Sequence, residues 1–453
     1  MASAAEQLAA NMNFGAFQKA TELHKRIWFT VIALVVYRLG SHVPIPGIDI
    51  TAFQRLFESQ SKGILGMFNM FSGGAVQNMA IFALNVLPYI TSSIIVQIVG
   101  QVYPPWEKLR KEGGEAGRKQ LNQYTRYLTV IICLFQATSI AGVLQSQAVA
   151  LNPGIFFMLT TTAVLTGGTM FLMWMGEQIT TRGIGNGVSL IIFAGIVARL
   201  PSSVGSLLQM SRVGTVPVAL VFALGIMAVA VVLAIVFMER SQRRILVQYP
   251  KRQQGNRVFG GETSFLPLKI NTAGVMPPIF ASSLLSLPVT ALAFAGQKDL
   301  PSWLGWVSWL QINLQHGQPA YIITYGLLII FFCFFYTSIM FNPEETAENL
   351  RKYGGFLPGI RPGKRTAEYL DFVLTRLTVL GAGYIAIVCL LPEALMSVNP
   401  AASTLSYGIG GTSILIVVSV TMDTVSQIQS HLLAHQYEGL IKKSRLRGGR
   451  GAK

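Results

Sequence analysis

Residues 68–100, FNMFSGGAVQNMAIFALNVLPYITSSIIVQIVG, join a short apolar segment to a long one. The first segment ends at Gly73-Gly74 and is far shorter than the roughly 20 apolar residues that a membrane-spanning helix needs. The second, from Met79 to Gly100, is long enough to span. This arrangement looks like a half-inserted plug beside a pore helix. Periodicity alone favours the plainer alternative, a re-entrant or interfacial segment ahead of an ordinary span.

The composition is that of a polytopic membrane protein. The chain has 453 residues, of which 51% are hydrophobic and only 12% charged, and its mean hydropathy is +0.50. Soluble domains rarely combine so few charges with so much apolar sequence. Cys133, Cys333 and Cys389 lie singly in apolar runs, which favours small core residues. Since no CxxC pair occurs, we expect no disulfide, no structural metal and no cofactor.

Apolar runs predict an all-α protein with ten transmembrane helices. Residues 1–22 come before them and predict a cytoplasmic amphipathic segment at the membrane interface. The predicted spans are 23–40, 79–100, 125–145, 155–177, 187–208, 216–238, 272–295, 320–341, 372–392 and 408–428.

The basic residues predict the orientation of the spans. If the N-terminus is cytoplasmic, 29 of the 35 Lys and Arg residues fall in cytoplasmic segments, in keeping with the positive-inside rule. The C-terminus, with a basic tail at 429–453, is then cytoplasmic too. The spans divide into two five-helix halves, 23–208 and 216–428. Because five is odd, two halves of one fold would be inverted about an axis in the membrane plane.

Ionisable groups are almost absent from the predicted spans. Glu177, Glu239 and Asp423 lie at or near predicted cytoplasmic ends, and no acidic group lies near a midplane. Ion-coupled transporters commonly keep such groups, so their absence argues against the main alternative, a secondary transporter with a five-plus-five inverted repeat. A membrane-embedded scaffold is a third possibility. No HExxH, GxSxG or P-loop pattern supports an enzyme, and the glycine-rich stretch 183–187 predicts a loop and helix start.

Two cytoplasmic loops, 239–271 and 342–372, are long, basic and rich in turn-forming residues. A basic loop can serve topology alone. These two are longer than topology needs, and protruding basic loops suit an acidic partner or the phosphates of ribosomal RNA.

Six motifs in order resemble the bacterial SecY family. They are FNMFSGG at 68–74, QYTRY at 123–127, GEQIT with RGIGNG at 176–187, KRQQG at 251–255, FNP at 341–343 and PGIRPG at 358–363. The resemblance covers the chain from about residue 20 to the tail. It implies the central subunit of a protein-conducting channel, a clamshell of two five-helix halves around an hourglass pore.

The resemblance also implies the activity. Such a channel moves unfolded preproteins across the bacterial cytoplasmic (inner) membrane and releases hydrophobic segments sideways into the lipid. It has no catalytic site, and the SecA motor ATPase or the ribosome supplies the energy. The implied partners are the SecE and SecG subunits, SecA, the ribosome and preprotein signal sequences.

Carried over position by position, the family implies a pore constriction and a plug. The constriction is a ring of six aliphatic side chains: Val86, Ile90, Val188, Ile192, Ile279 and Ile416. The plug lies at about 64–78 and includes Asn69, Met70, Phe71, Ser72, Gly73 and Gly74. Apolar constrictions exclude water and ions by dewetting. For any single ring residue, ordinary packing is the alternative.

The family further implies a lateral gate between the second and third spans and the seventh and eighth. Its residues here are Thr91, Gln97, Gln136, Asn271 and Leu287. The three amides are expected to form a polar cluster at the gate, with ordinary interhelical hydrogen bonding as the alternative.

Contacts with SecA or the ribosome are implied for four basic residues: Lys251, Arg252, Arg257 and Arg361. Asn256 and Glu344 depart from the family, which often has basic residues there. These departures weaken the expectation of ribosome docking at those two positions.

Overall fold

The computed structural model describes residues 21–60, 69, 72–111, 113–147, 149–214, 217–250, 252–254, 257–259, 263–294, 318–398 and 410–448. Within these ranges the helices are α1 Thr21–Gly40, α2 Ile50–Gln60, α3 Leu87–Val102, α4 Pro104–Lys111, α5 Gly114–Ser146, α6 Ile155–Arg182, α7 Gly187–Arg212, α8 Val218–Arg240, α9 Met276–Phe294, α10 Pro319–Met340, α11 Pro343–Lys352, α12 Lys364–Val398 and α13 Gly411–Gly448. The strands are β1 Gln242–Gln248, β2 Arg252–Gln254, β3 Arg257–Phe259 and β4 Thr263–Lys269.

Each predicted span overlaps one helix, and the chain is an all-α membrane protein. Helices α5, α6, α7, α8, α10, α12 and α13 are long and apolar enough to cross a membrane, whereas α3 and α9 give shorter apolar stretches. The 20-residue α1 carries four charged residues and is not among the seven.

The prediction of one helix from Met79 to Gly100 is wrong in its first third. Residues 72–86 form a series of turns, and α3 begins only at Leu87. Met79 and Asn85 have φ angles of 41° and 51°, which an α-helix does not accommodate. Pro88 lies in the first turn of α3, where its missing N–H is of no consequence.

The same order of neighbours occurs twice along the chain. Among the first five long helices, α3 packs on α5, α5 on α6, α6 on α7 and α7 on α1. Among the last five, α9 packs on α10, α10 on α12, α12 on α13 and α13 on α8. The two sets meet along two seams, one where α9 lies against α3 and α5, and one where α7 lies against α13.

Loop 239–271 contains a β-hairpin that the sequence analysis did not anticipate. Strands β1 and β4 pair antiparallel over seven residues each, with Gln242 opposite Lys269. Gln248 continues the pairing to Phe356 in the other long loop. A small apolar cluster joins both loops to α12 through Ile245, Leu268, Leu357, Leu370 and Val373. The two loops are therefore packed together and are more than solvated connections.

Candidate functional site

The six predicted ring residues come from four parts of the chain and meet in the largest apolar cluster of the described residues. Val86 and Ile90 belong to the start of α3, Val188 and Ile192 to α7, Ile279 to α9 and Ile416 to α13. Five of the six are buried, and the half-buried Val188 packs against the same cluster. The structure thus places all six in, or against, one apolar cluster.

The glycine-rich loop 183–187 sets the position of α7. Asn186 caps the helix by accepting hydrogen bonds from Val188 and Ser189, and Thr180 accepts one from the Gly187 amide. A side chain on Gly187 would collide with the carbonyl of Gly176, so the glycine allows α7 to start close against α6. The leading amides of α7 are satisfied internally, as expected for a helix start.

The predicted plug lies against the face of α7 that carries the ring residues. Val188, Ile192, Gly195 and Arg199 follow one another at helical spacing. A methyl group on Gly73 would lie 2.7 Å from the Cα of Gly195, so two glycines meet backbone to backbone. The Gly73 φ angle of +65° also favours glycine. The plug therefore touches α7 one turn beyond Ile192.

Local hydrogen bonds define the shape of the plug. Asn69 Oδ1 accepts from the Gln77 amide at 3.0 Å, and the Asn69 carbonyl accepts from the Gly74 amide at 3.2 Å. The Ser72 hydroxyl donates to the same carbonyl at 3.3 Å. Asn69 and Ser72 are each 1% exposed. The predicted plug residues Met70 and Phe71 lie outside the described residues.

Helix α1 contributes two side chains that the sequence analysis missed. The Tyr37 hydroxyl donates to the Ser72 carbonyl at 3.2 Å, and Arg38 Nη1 donates to the Gly73 carbonyl at 2.8 Å. The only sequence signal was an arginine at the end of an apolar run, which does not identify its partner.

The predicted gate helices are in contact, with α9 packed against both α3 and α5. Thr91 is buried, and its hydroxyl donates to the Leu87 carbonyl one turn earlier in α3. Leu287 lies in α9, and its side chain lies outside the described residues.

No hydrogen bond between the three gate amides appears in the described part of the chain. Gln97 donates to Ser93 on its own helix at 3.0 Å. Asn271 donates to Glu239 Oε1 on α8 at 2.6 Å and to the Gly274 carbonyl at 3.1 Å. The Gln136 Oε1 atom is buried, and no described residue donates a hydrogen bond to it. The described hydrogen bonds thus do not join the three amides, because Asn271 is engaged by the half-buried Glu239 near the end of α8.

The basic loop residues divide into exposed and undescribed groups. Arg361 is exposed, and its carbonyl accepts a hydrogen bond from Thr366 near the start of α12. Arg252 and Arg257 lie on the short paired strands β2 and β3, and nothing is described of their side chains. Lys251 and Asn256 lie outside the described residues. Glu344 is exposed in the first turn of α11.

Comparison with known proteins adds an independent finding to this geometry. The family model described as SecY matches residues 80–425, about three quarters of the chain. Protein translocase subunit SecY of Vibrio cholerae is 50% identical over 431 residues, which cover 94% of this chain and 96% of that protein. The chain belongs to the SecY family. As a member, it is a channel subunit of bacterial membrane protein translocation and not an enzyme.

Solved structures show the SecY channel fold as well. A SecY structure concerned with the plug domain and the closed state of the translocation channel has a TM-score of 0.66, with 19% identity and coverage of 91% of this chain and 93% of that one. Sec61 in the canine ribosome-channel complex has a TM-score of 0.62 at 18% identity, with the same coverage. At these identities the likeness establishes the fold alone.

Proposed function

We propose that the six ring residues form the constriction of the SecY-family pore and that the plug seals it. The observation that carries this proposal is the single face of α7, on which Val188, Ile192 and Gly195 place two ring residues and the plug contact in succession. Aliphatic side chains offer a sliding peptide no strong hydrogen bonds, and a closed apolar constriction excludes ions by dewetting. One constriction can then pass many sequences while remaining closed to ions.

We infer further that the two sets of five helices are inverted halves and that the seam of α9 with α3 and α5 is the lateral gate. The repeated order of neighbours supports two copies of one fold. The hydrogen bonds described at this seam for Thr91 and Gln97 stay within α3. Parting the seam therefore breaks packing but leaves these hydrogen bonds intact. This arrangement suits the release of an apolar signal sequence or membrane segment into the lipid.

The two packed basic loops support a proposal for the partners on the cytoplasmic side. The exposed Arg361, with Arg252 and Arg257 on the neighbouring loop, offers positive charge to acidic protein or to RNA phosphates. SecA and the ribosome are the proposed partners, and a ribosome-bound channel among the related folds supports the second. SecE and SecG are the proposed companion subunits. We expect the channel to lie in the bacterial cytoplasmic membrane, with both termini in the cytoplasm.

Reconstitution tests the proposal directly. Proteoliposomes holding this chain with SecE and SecG receive SecA, ATP and a preprotein, and protease-protected preprotein is measured. We expect protection that depends on ATP and on an intact signal sequence. Equal protection without the signal sequence would contradict the gate, and no protection under any condition would contradict the conducting role of this assembly.

A further inference from the structure

We propose that Tyr37 and Arg38 are positioning residues that latch the plug in the closed pore. This inference rests on the proposed role of the plug as a seal. Two consecutive residues at the end of α1 donate to two consecutive plug carbonyls, those of Ser72 and Gly73. The resemblance to the SecY family carried no role for either residue.

The two hydrogen bonds differ in character. The Arg38 guanidinium carries a charge, and its 2.8 Å hydrogen bond to the Gly73 carbonyl belongs to the stronger, charge-assisted class. Tyr37 is 1% exposed, so water does not reach its hydroxyl while the plug is in place. Displacing the plug therefore breaks one charge-assisted hydrogen bond and one buried hydroxyl-to-carbonyl hydrogen bond.

The latch residues are held rigidly. The Tyr37 ring stacks on Phe82 with ring centroids 6.2 Å apart and an interplanar angle of 14°. The Arg38 carbonyl accepts a hydrogen bond from the Ser41 hydroxyl at 2.7 Å, which fixes the last turn of α1. A pre-positioned donor loses little conformational freedom when it binds, so its hydrogen bonds contribute more to closure.

The opposite side of the plug is fixed by α7. Gly73 contacts Gly195 backbone to backbone, while its carbonyl faces Arg38. Helices α1 and α7 also pack on each other. The plug is thus held between two helices of the first five-helix set. The seam at α9 involves neither of these two helices, so the latch is a contact distinct from the gate.

Resting ion conductance in planar bilayers tests the latch. The variants are Tyr37→Phe, which removes only the hydroxyl and keeps the ring on Phe82, and Arg38→Gln, which removes the charge. Arg38→Lys retains a charged donor. Tyr127→Phe and Arg212→Gln are matched controls, because both residues are exposed on the surface. Deletion of residues 65–72 serves as the reference for an absent plug.

We expect a several-fold rise in leak for Tyr37→Phe and Arg38→Gln, a smaller rise for Arg38→Lys and none for the controls. The two leaking variants should also transport a preprotein with a defective signal sequence, an effect that simple loss of stability does not produce. If the deletion variant leaks while the latch variants stay sealed, the latch is overturned but the role of the plug stands. A deletion that stays sealed would overturn both.

Discussion

Arg126 on α5 and Glu177 on α6 form a two-point ion pair, with Nε to Oε1 at 3.1 Å and Nη2 to Oε2 at 2.6 Å. The two residues come from the QYTRY and GEQIT motifs, so the ion pair connects these two parts of the chain. The side chains are 47% and 31% exposed, and solvent therefore screens the pair. Partly exposed pairs contribute up to about 1 kcal/mol to folding.

Breaking this ion pair should lower stability only slightly, and removing either partner should have the same effect. We expect Arg126→Gln and Glu177→Gln each to lower the free energy of unfolding by about 1 kcal/mol or less. The double variant should be no worse than either single one, because both remove the same interaction. A double-mutant cycle of unfolding in detergent checks this. Additive losses would show that the two side chains act independently.

Truncation of the ring should open the resting channel to ions. Replacing Ile192 and Ile279 with Gly widens the apolar constriction and lets water enter. We expect a raised resting conductance in planar bilayers. The matched control is Ile226→Gly on α8, since Ile226 is 71% exposed on the outer surface. Unchanged conductance in the ring variant, or an equal rise in the control, would contradict the pore assignment.

Charge reversal at Arg361 should block motor-driven transport without unfolding the protein. The side chain is exposed, so Arg361→Glu should change stability by about 0.5 kcal/mol at most. It would set like charges against an acidic partner surface. Protection of a preprotein in the SecA assay should fall several-fold. Arg212→Glu is the control, because that exposed residue is expected on the opposite side of the membrane. Normal transport by the Arg361→Glu variant would indicate that the loop serves only to set the membrane topology.

Closing the lateral gate covalently should stop export. We expect Thr91→Cys with Leu287→Cys to cross-link under mild oxidation, since α3 and α9 are packed and a disulfide needs Cα atoms within about 7 Å. The buried Cys133, Cys333 and Cys389 would first be changed to Ala. Transport of signal-bearing chains should stop and return on reduction.

A longer chemical cross-linker at the same two positions should permit transport, because it leaves the helices room to part. If the short disulfide forms and transport continues at its normal rate, the gate is elsewhere.

The sequence predicted the positions of the membrane helices well, because hydropathy and charge are local properties. It mistook residues 79–86 for helix because their shape depends on distant backbone. The Ile45 amide donates to the Met79 carbonyl and the Ile81 amide to the Val43 carbonyl, both at 3.0 Å. An apolar run of sequence does not indicate such a distant backbone partner. The β-hairpin was also missed, because charged and turn-forming residues in 239–271 made strands β1 and β4 hard to recognise.

The candidate site divides in the same way. The resemblance supplied the six ring positions, and the structure brings them together. The partner of Asn271 could not be predicted, because Glu239 lies 32 residues away on α8. Tyr37 and Arg38 belong to none of the recognised motifs. Their partners are backbone carbonyl groups, which every residue has, so the sequence alone did not identify these contacts.

Helix α1 is a stiff strut between two separate contacts. In its first half Arg26 and Thr30 bind the backbone of Gly183 and Ile184, and near its last turn Arg38 binds the Gly73 carbonyl. The 12 residues from Arg26 to Arg38 span roughly 18 Å at about 1.5 Å per residue. An axial shift of α1 would displace both ends by the same distance. Loop 183–187 and the plug are therefore mechanically connected through α1, although they lie on different parts of the chain.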